Sequence, residues 1–81
     1  MAKPETILEW LKEAGAYAFR REEAPQLGLA IDLLIGGSTV GVRVTRGVRQ
    51  AFKSLTWTQI ERAESNPLLK LIDEVIEVSR K

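Results

Sequence analysis

Four basic residues form the part of the sequence best suited to binding chemistry. The segment from Gly37 to Thr58 contains no acidic residue, and its cations are Arg43, Arg46, Arg49 and Lys53. The whole chain has 12 Lys and Arg against 11 Asp and Glu, a formal net charge of +1, so this positive charge is local. Arginine binds phosphate oxygens through paired hydrogen bonds. The segment predicts contact with the phosphates of DNA or RNA; the alternative is a solvated rim whose charges pair with acids elsewhere.

Asp32 is the second candidate functional residue, because it interrupts the apolar run LAIDLLI over 29–35. A charged side chain in such a run must be exposed, ion-paired or coordinated to a cation. Arg43, on the next strand of the predicted hairpin, is a suitable cross-strand partner. The sequence favours an Asp32–Arg43 ion pair, with a working or vestigial metal ligand as the alternative.

The composition excludes several classes of enzyme. The 81 residues include no cysteine and no histidine, which removes disulfides, thiol nucleophiles, zinc sites built on these residues and Ser-His-Asp catalysis. Carboxylate or lysine chemistry with Mg²⁺ remains. Glu5, Glu9 and Glu13 recur at i,i+4 spacing, which is more typical of a solvated helix face than of a metal site. We therefore predict no catalytic residue, no metal and no cofactor.

The elements that position these side chains follow from the apolar spacing. In the first half, Ile7, Leu8, Leu11 and Ala14 predict a helix that starts near Pro4 and ends at Gly15. Alternation then predicts a first strand from Ala16 to Glu23, which the proline-containing stretch at 24–26 ends. Two further strands, over 29–35 and 39–45, are joined by a tight turn that Gly36 and Gly37 permit.

In the second half the period returns to that of a helix. The residues that set it are Val48, Ala51, Phe52 and Leu55, which would place Arg46, Arg49 and Lys53 on one helix edge. Thr56 and Gln59 fit a capping box that starts a short helix. The pair at 66–67, Asn-Pro, then starts a last helix that reaches the end of the chain. In the alternative prediction, this helix ends near Glu74 and residues 75–78 form a fourth strand.

These elements predict one compact α/β domain over residues 1–81. Its order is α-β-β-β-α-α(-α or β), with a three- to four-stranded mixed or antiparallel sheet covered by helices. The N-terminus carries no signal-peptide pattern and no apolar stretch is long enough to span a bilayer, so a cytoplasmic protein without membrane contact is expected. The low Asn and Cys content and the charged surface favour a thermophilic source.

Three residues are candidates for a protein interface. Leu69 and Ile76 widen the apolar stripe of the last helix beyond what one sheet needs, and Trp57 lies near the basic residues, where a half-exposed indole is suited to anchor a partner. Small domains often gain stability by association. These residues predict a homodimer or a contact with another protein.

Two stretches resemble the core of the PD-(D/E)XK nuclease-like superfamily, to which archaeal Holliday junction resolvases and many restriction enzymes belong. They are IDLLIGG over 31–37 and TVGVRVTRG over 39–47. In that family a helix and a strand precede an Asp-bearing strand, then come a turn, a strand ending in Glu-x-Lys and a helix. The Asp and Glu hold Mg²⁺, and the Lys orients the attacking water. Asp32 matches the Asp, whereas the Glu and Lys positions fall on Arg43 and Thr45. The resemblance implies a vestigial site at Asp32, Arg43 and Thr45.

The sequence as a whole thus favours a non-catalytic, nuclease-like module. It would contact nucleic acid, or a partner in nucleic-acid metabolism, through Arg43, Arg46, Arg49 and Lys53. One alternative is a protein-interaction or scaffolding homodimer that binds no nucleic acid. A third is an Mg²⁺-dependent nuclease with an altered site.

Overall fold

The chain is described here as a computed structural model, which covers residues 3–22 and 28–81. Three helices and three strands follow one another in the order α1(Pro4–Glu22), β1(Leu29–Ile35), β2(Thr39–Arg46), β3(Arg49–Thr56), α2(Trp57–Arg62) and α3(Pro67–Ser79). The strands form one antiparallel sheet in the order β1-β2-β3. The predicted fold class, a single α/β domain with a three-stranded antiparallel sheet and helices packed on it, is confirmed.

The helices lie on one face of the sheet. α1 packs on β1 and on α3, and α3 packs on β2 and β3. The core lies between this helix layer and alternate strand residues. Its members are Ala14, Ala18, Leu29, Ile31, Val40, Val42, Val44, Ala51, Ile60, Leu68, Leu71, Ile72, Val75 and Ile76. Within the described ranges no helix covers the opposite face of the sheet, which we call the open face.

The predicted strand from Ala16 is wrong, because α1 continues to Glu22. The last residue of the predicted strand, Glu23, and the predicted break at 24–26 lie outside the described residues. Ile7, Leu11, Ala14 and Ala18 keep helical spacing through this region, and the last two are buried. Gly15 does not end the helix, since its φ is not positive. The alternation of aromatic and alanine residues over 16–19 indicates a strand only if the helical spacing of the preceding residues is ignored.

The predicted helix over 48–55 is also wrong, because this segment is β3. Arg46 pairs with Arg49 in the ladder, so the connection is the two-residue turn of Gly47 and Val48. Gly47 has φ of 62°, as the first central residue of a type II′ turn requires. This turn sends the chain back along β2. Of the four apolar residues with helical spacing, only Ala51 and Leu55 then face the core.

The other predicted elements are confirmed. β1 and β2 have the predicted pairing, and Thr56 and Gln59 form the capping box of α2. Asn66 caps α3, accepting a hydrogen bond from the Leu68 N–H at 3.0 Å. α3 runs to Ser79, so the alternative strand over 75–78 is wrong. The reason is that the buried residues of α3 keep helical spacing up to Ser79, so this segment packs on the sheet as a helix.

Candidate functional site

The open face consists of every second residue of each strand. Its members are Ala30, Asp32, Leu34, Thr39, Gly41, Arg43, Thr45, Gln50, Phe52, Ser54 and Thr56. The register places Asp32, Arg43 and Phe52 side by side in one row across the three strands. An acid, a guanidinium and an aromatic ring therefore lie together on a surface that the described helices leave uncovered.

The ion pair predicted between Asp32 and Arg43 is confirmed. Oδ2 of Asp32 accepts hydrogen bonds from Nη2 of Arg43 at 2.9 Å and from Nε at 3.3 Å. The side chains are 45% and 42% exposed, respectively, so water screens the pair and its contribution to stability is about 0–1 kcal/mol. The pair fixes the orientation of the Arg43 guanidinium above the sheet. This orienting effect matters more for the site than the pair's contribution to the free energy of folding.

Phe52 forms the apolar centre of the open face. A Cβ atom placed on Gly41 would lie 2.5 Å from Cε2 and Cζ of Phe52, so the ring rests directly on the Gly41 backbone. Phe52 nevertheless remains 55% exposed. Leu34 and Ser54 pair with Gly41 on either side. A side chain at this position would have to displace the exposed end of the Phe52 ring.

The four predicted basic residues do not share a surface. Arg43 is on the open face, whereas strand alternation places the other three on the helix-packed face. Arg46 donates from Nε to Oγ of Ser79 at 3.4 Å, and Arg49 donates from Nη2 to the carbonyl of Lys81. Lys53 lies 3.8 Å from the carboxylate of Glu74. The predicted helix edge is therefore wrong, and acids from outside the segment pair with Arg43 and Lys53.

The three predicted interface residues are positioned mainly by the core. Ile76 is 6% exposed and belongs to the core, so its side chain is not available to a partner in this structure. Leu69 is half-buried against the core, and Trp57 is half-buried with Nε1 donating to the Gly36 carbonyl at 3.1 Å. The stripe of α3 is wide because this helix packs on two strands and on α1 together.

The arrangement around Asp32 does not resemble a metal centre. Thr45 is half-buried on the open face between Ala30 and Gln50, and the nearest charged partner of Asp32 is a cation. In residues 3–22 and 28–81, no three His, Cys, Asp or Glu side chains converge as a metal site would require. A guanidinium at the second carboxylate position repels a divalent ion.

A cluster between α1 and α3 was not predicted from the sequence. The Tyr17 hydroxyl donates to Asp73 Oδ1 at 2.8 Å, and Arg21 donates from Nη2 to the Tyr17 hydroxyl at 2.7 Å and to Asp73 at 3.0 Å. The pKa of Arg21 is raised, chiefly by its hydrogen bond to Tyr17 and also by the nearby Asp73 charge, although desolvation opposes this. The cluster links the C-terminal part of α1 to α3 through hydrogen bonds and an ion pair at the protein surface.

A shallow groove lies between β3 and α3. It encloses about 230 Å³ and is lined by Leu55, Pro67, Lys70, Leu71 and Glu74. Its wall is mostly aliphatic, with one cation and one carboxylate at helical i,i+4 spacing. It contains no pair of groups placed for nucleophilic or acid–base chemistry.

Comparisons with known proteins provide no relative. No family model matches the chain, and neither the curated proteins nor the solved structures include a significant match. The resemblance to PD-(D/E)XK nucleases therefore stays a prediction from the residues. None of the helices in the described part of the chain is both long and apolar enough to cross a membrane.

Proposed function

We propose that this chain is a non-catalytic module that binds single-stranded nucleic acid, DNA or RNA, on the open face of its sheet. The observation that carries the proposal is the row in which half-exposed Phe52 lies beside Arg43 on the open face, which none of the described helices covers. A base would stack on the Phe52 ring, and Arg43 would contact the phosphate or the edge of the base. The cytoplasm is the expected location.

Stacking is the main source of affinity in this proposal. The Cε2–Cζ edge of the Phe52 ring lies over Gly41, and the ring is 55% exposed, which leaves aromatic surface accessible to a base. A base stacked on an aromatic side chain contributes about 1–3 kcal/mol, with little dependence on sequence. Duplexes keep their bases inside the helix, so an exposed aromatic ring favours single strands.

Arg43 is the cation that remains suited to this role among the four predicted from the sequence. Arginine has five N–H donors, of which Asp32 receives two. The remaining three are sufficient for a phosphate or a base. Lys53 and Arg49 lie on the helix-packed face and bind Glu74 and the carbonyl of Lys81, so we assign neither to the site.

The proposal is tested by fluorescence anisotropy with labelled 12-nucleotide single strands of DNA and RNA and the matching duplexes. The parent protein should bind the single strands more tightly than the duplexes at low salt. Phe52→Ala should weaken this binding about tenfold, as loss of one stacking contact implies. Phe19→Ala is the matched control, because Phe19 is 59% exposed on α1, away from the open face.

Two results would overturn the proposal. One is a parent protein that binds none of these strands at 20–50 mM salt. The other is equal loss of affinity in the Phe52 and Phe19 variants, which would make the aromatic contact non-specific. Thermal unfolding of both variants confirms that each is folded at the temperature of the titration.

The outer flank of α1 favours a second candidate function, association with another copy of the chain. Leu8 and Phe19 are exposed and eleven residues apart, which places them on one flank of the helix. Glu13 contacts Asn66 and Tyr17 contacts Asp73, so α3 lies on the other flank of α1. Sedimentation between about 10 and 500 μM should then show a rising mass that Phe19→Glu lowers and Val78→Glu, on exposed α3 surface, does not. A constant monomer mass contradicts it.

A further inference from the structure

The guanidinium of Arg43 presents one edge to Asp32 and keeps another free. Nε and Nη2 form the side edge, and both donate to Oδ2 of Asp32. The end edge consists of Nη1 and the second N–H of Nη2. In the described part of the chain, Nη1 of Arg43 has no hydrogen-bond acceptor. Two parallel donors are therefore fixed in orientation and ready to meet two adjacent acceptors.

This free edge lies close to the stacking surface. Gly41, which lies beneath the Phe52 ring, and Arg43 are two residues apart on the same face of β2, about 7 Å along the strand. Leu34 and Ser54 flank Gly41 on the neighbouring strands. A base stacked on Phe52 thus has one edge within reach of Arg43, while an aliphatic and a hydroxyl side chain border its other sides.

We propose, on the basis of the proposed function, that this site selects guanine. The O6 and N7 atoms of guanine are adjacent acceptors that match two parallel guanidinium donors. Adenine places the N6 amino donor beside N7, so it opposes one of the two donors. Pyrimidines offer a smaller surface for stacking and lack this acceptor pair. Arg43 is the residue that determines specificity, and Asp32 positions it.

The test uses labelled nine-nucleotide RNAs that differ at the central position. The reference is nine uridines, and the other strands carry guanosine, adenosine, inosine or 7-deazaguanosine at position five. We expect guanosine to bind about five- to a hundredfold more tightly than adenosine, as one bidentate contact implies. Inosine, which has both O6 and N7, should match guanosine. 7-Deazaguanosine, which lacks N7, should bind like adenosine.

Arg43→Lys separates specificity from charge. Lysine keeps the cation but lacks the planar pair of donors, so the guanosine preference over adenosine should disappear. Equal binding of guanosine, adenosine and uridine strands by the parent protein would overturn the guanine assignment and leave the proposed function standing. Failure of every strand to bind would remove both. A guanosine preference that survives in Arg43→Lys would also overturn the assignment of Arg43.

Discussion

Asp32 has two opposing effects on the open face. Its carboxylate orients the guanidinium of Arg43 through hydrogen bonds of 2.9 and 3.3 Å. The same negative charge lies where a phosphate would approach and repels it. At half exposure both effects are moderate. The balance between orientation and repulsion can therefore be measured by removing the charge without changing the shape of the side chain.

Asp32→Asn should strengthen binding of a uridine strand by about two- to fivefold, the range that an exposed charge pair supplies. The guanosine preference should fall at the same time, because an amide holds Arg43 less firmly. Anisotropy titrations at low salt measure both. Glu74→Gln is the control, since this acid pairs with Lys53 on the helix-packed face and should change neither quantity. Weaker binding of the uridine strand by Asp32→Asn would contradict the repulsion.

The contact between Gly41 and Phe52 predicts that the effect of Gly41→Ala on the free energy of unfolding changes sign when Phe52 is replaced by alanine. Gly41→Ala in the parent should cost up to about 1 kcal/mol of unfolding free energy, below the range for a packed core, because the new methyl group displaces only the exposed end of the Phe52 ring. In a Phe52→Ala background the same change should stabilise by about 0.5–1 kcal/mol, since alanine is more favourable than glycine inside a strand. Urea unfolding followed by tryptophan fluorescence measures the four proteins. Equal effects in both backgrounds would show that the ring does not rest on Gly41.

Among the helices and strands, those with their own local signals were predicted correctly. Alternation and a double glycine define β1 and β2, and the capping box and the Asn-Pro pair define the starts of α2 and α3. β3 has no such signal, because Ala51 and Leu55 fit both periods and the decisive feature is the turn at Gly47. The Asp32–Arg43 pair could be predicted because it needs only β1 and β2. The position of Phe52 depends on β3 and was missed.

The continuity of α1 makes a prediction about Gly15. This residue lies inside the helix with ordinary φ, and a Cβ placed on it meets no atom within 4 Å. Gly15→Ala should therefore stabilise the protein by about 0.5–1 kcal/mol, because alanine has the higher helix propensity. Thermal unfolding followed by circular dichroism should show Tm raised by several degrees. Gly47→Ala, at φ of 62°, is the contrasting control and should lower Tm. A lower Tm for Gly15→Ala would indicate that the helix ends there.

For the whole molecule, the distribution of charge matters more than its total. The net charge is +1, and the basic residues of the acid-free segment are divided between two faces of the sheet. The open face supplies one arginine, Arg43, and its partner Asp32 lies beside it. Arg46 and Arg49 lie at the opposite end of β2 from the Gly36–Gly37 turn, next to the end of α3. Electrostatic attraction over long distances should therefore contribute little to binding.

This distribution fixes the salt dependence of nucleic-acid binding. With one phosphate neutralised by Arg43, the slope of log K against log salt for a uridine strand should be about −0.7, so affinity falls only about threefold between 50 and 200 mM salt. Arg43→Ala should flatten the slope, whereas Arg49→Ala should leave it unchanged. Anisotropy titrations at five salt concentrations measure it. A slope of about −3 or steeper that flattens in Arg49→Ala would instead place the phosphates at the β2–β3 turn, beside Arg46 and the end of α3, and the open face would lose its role.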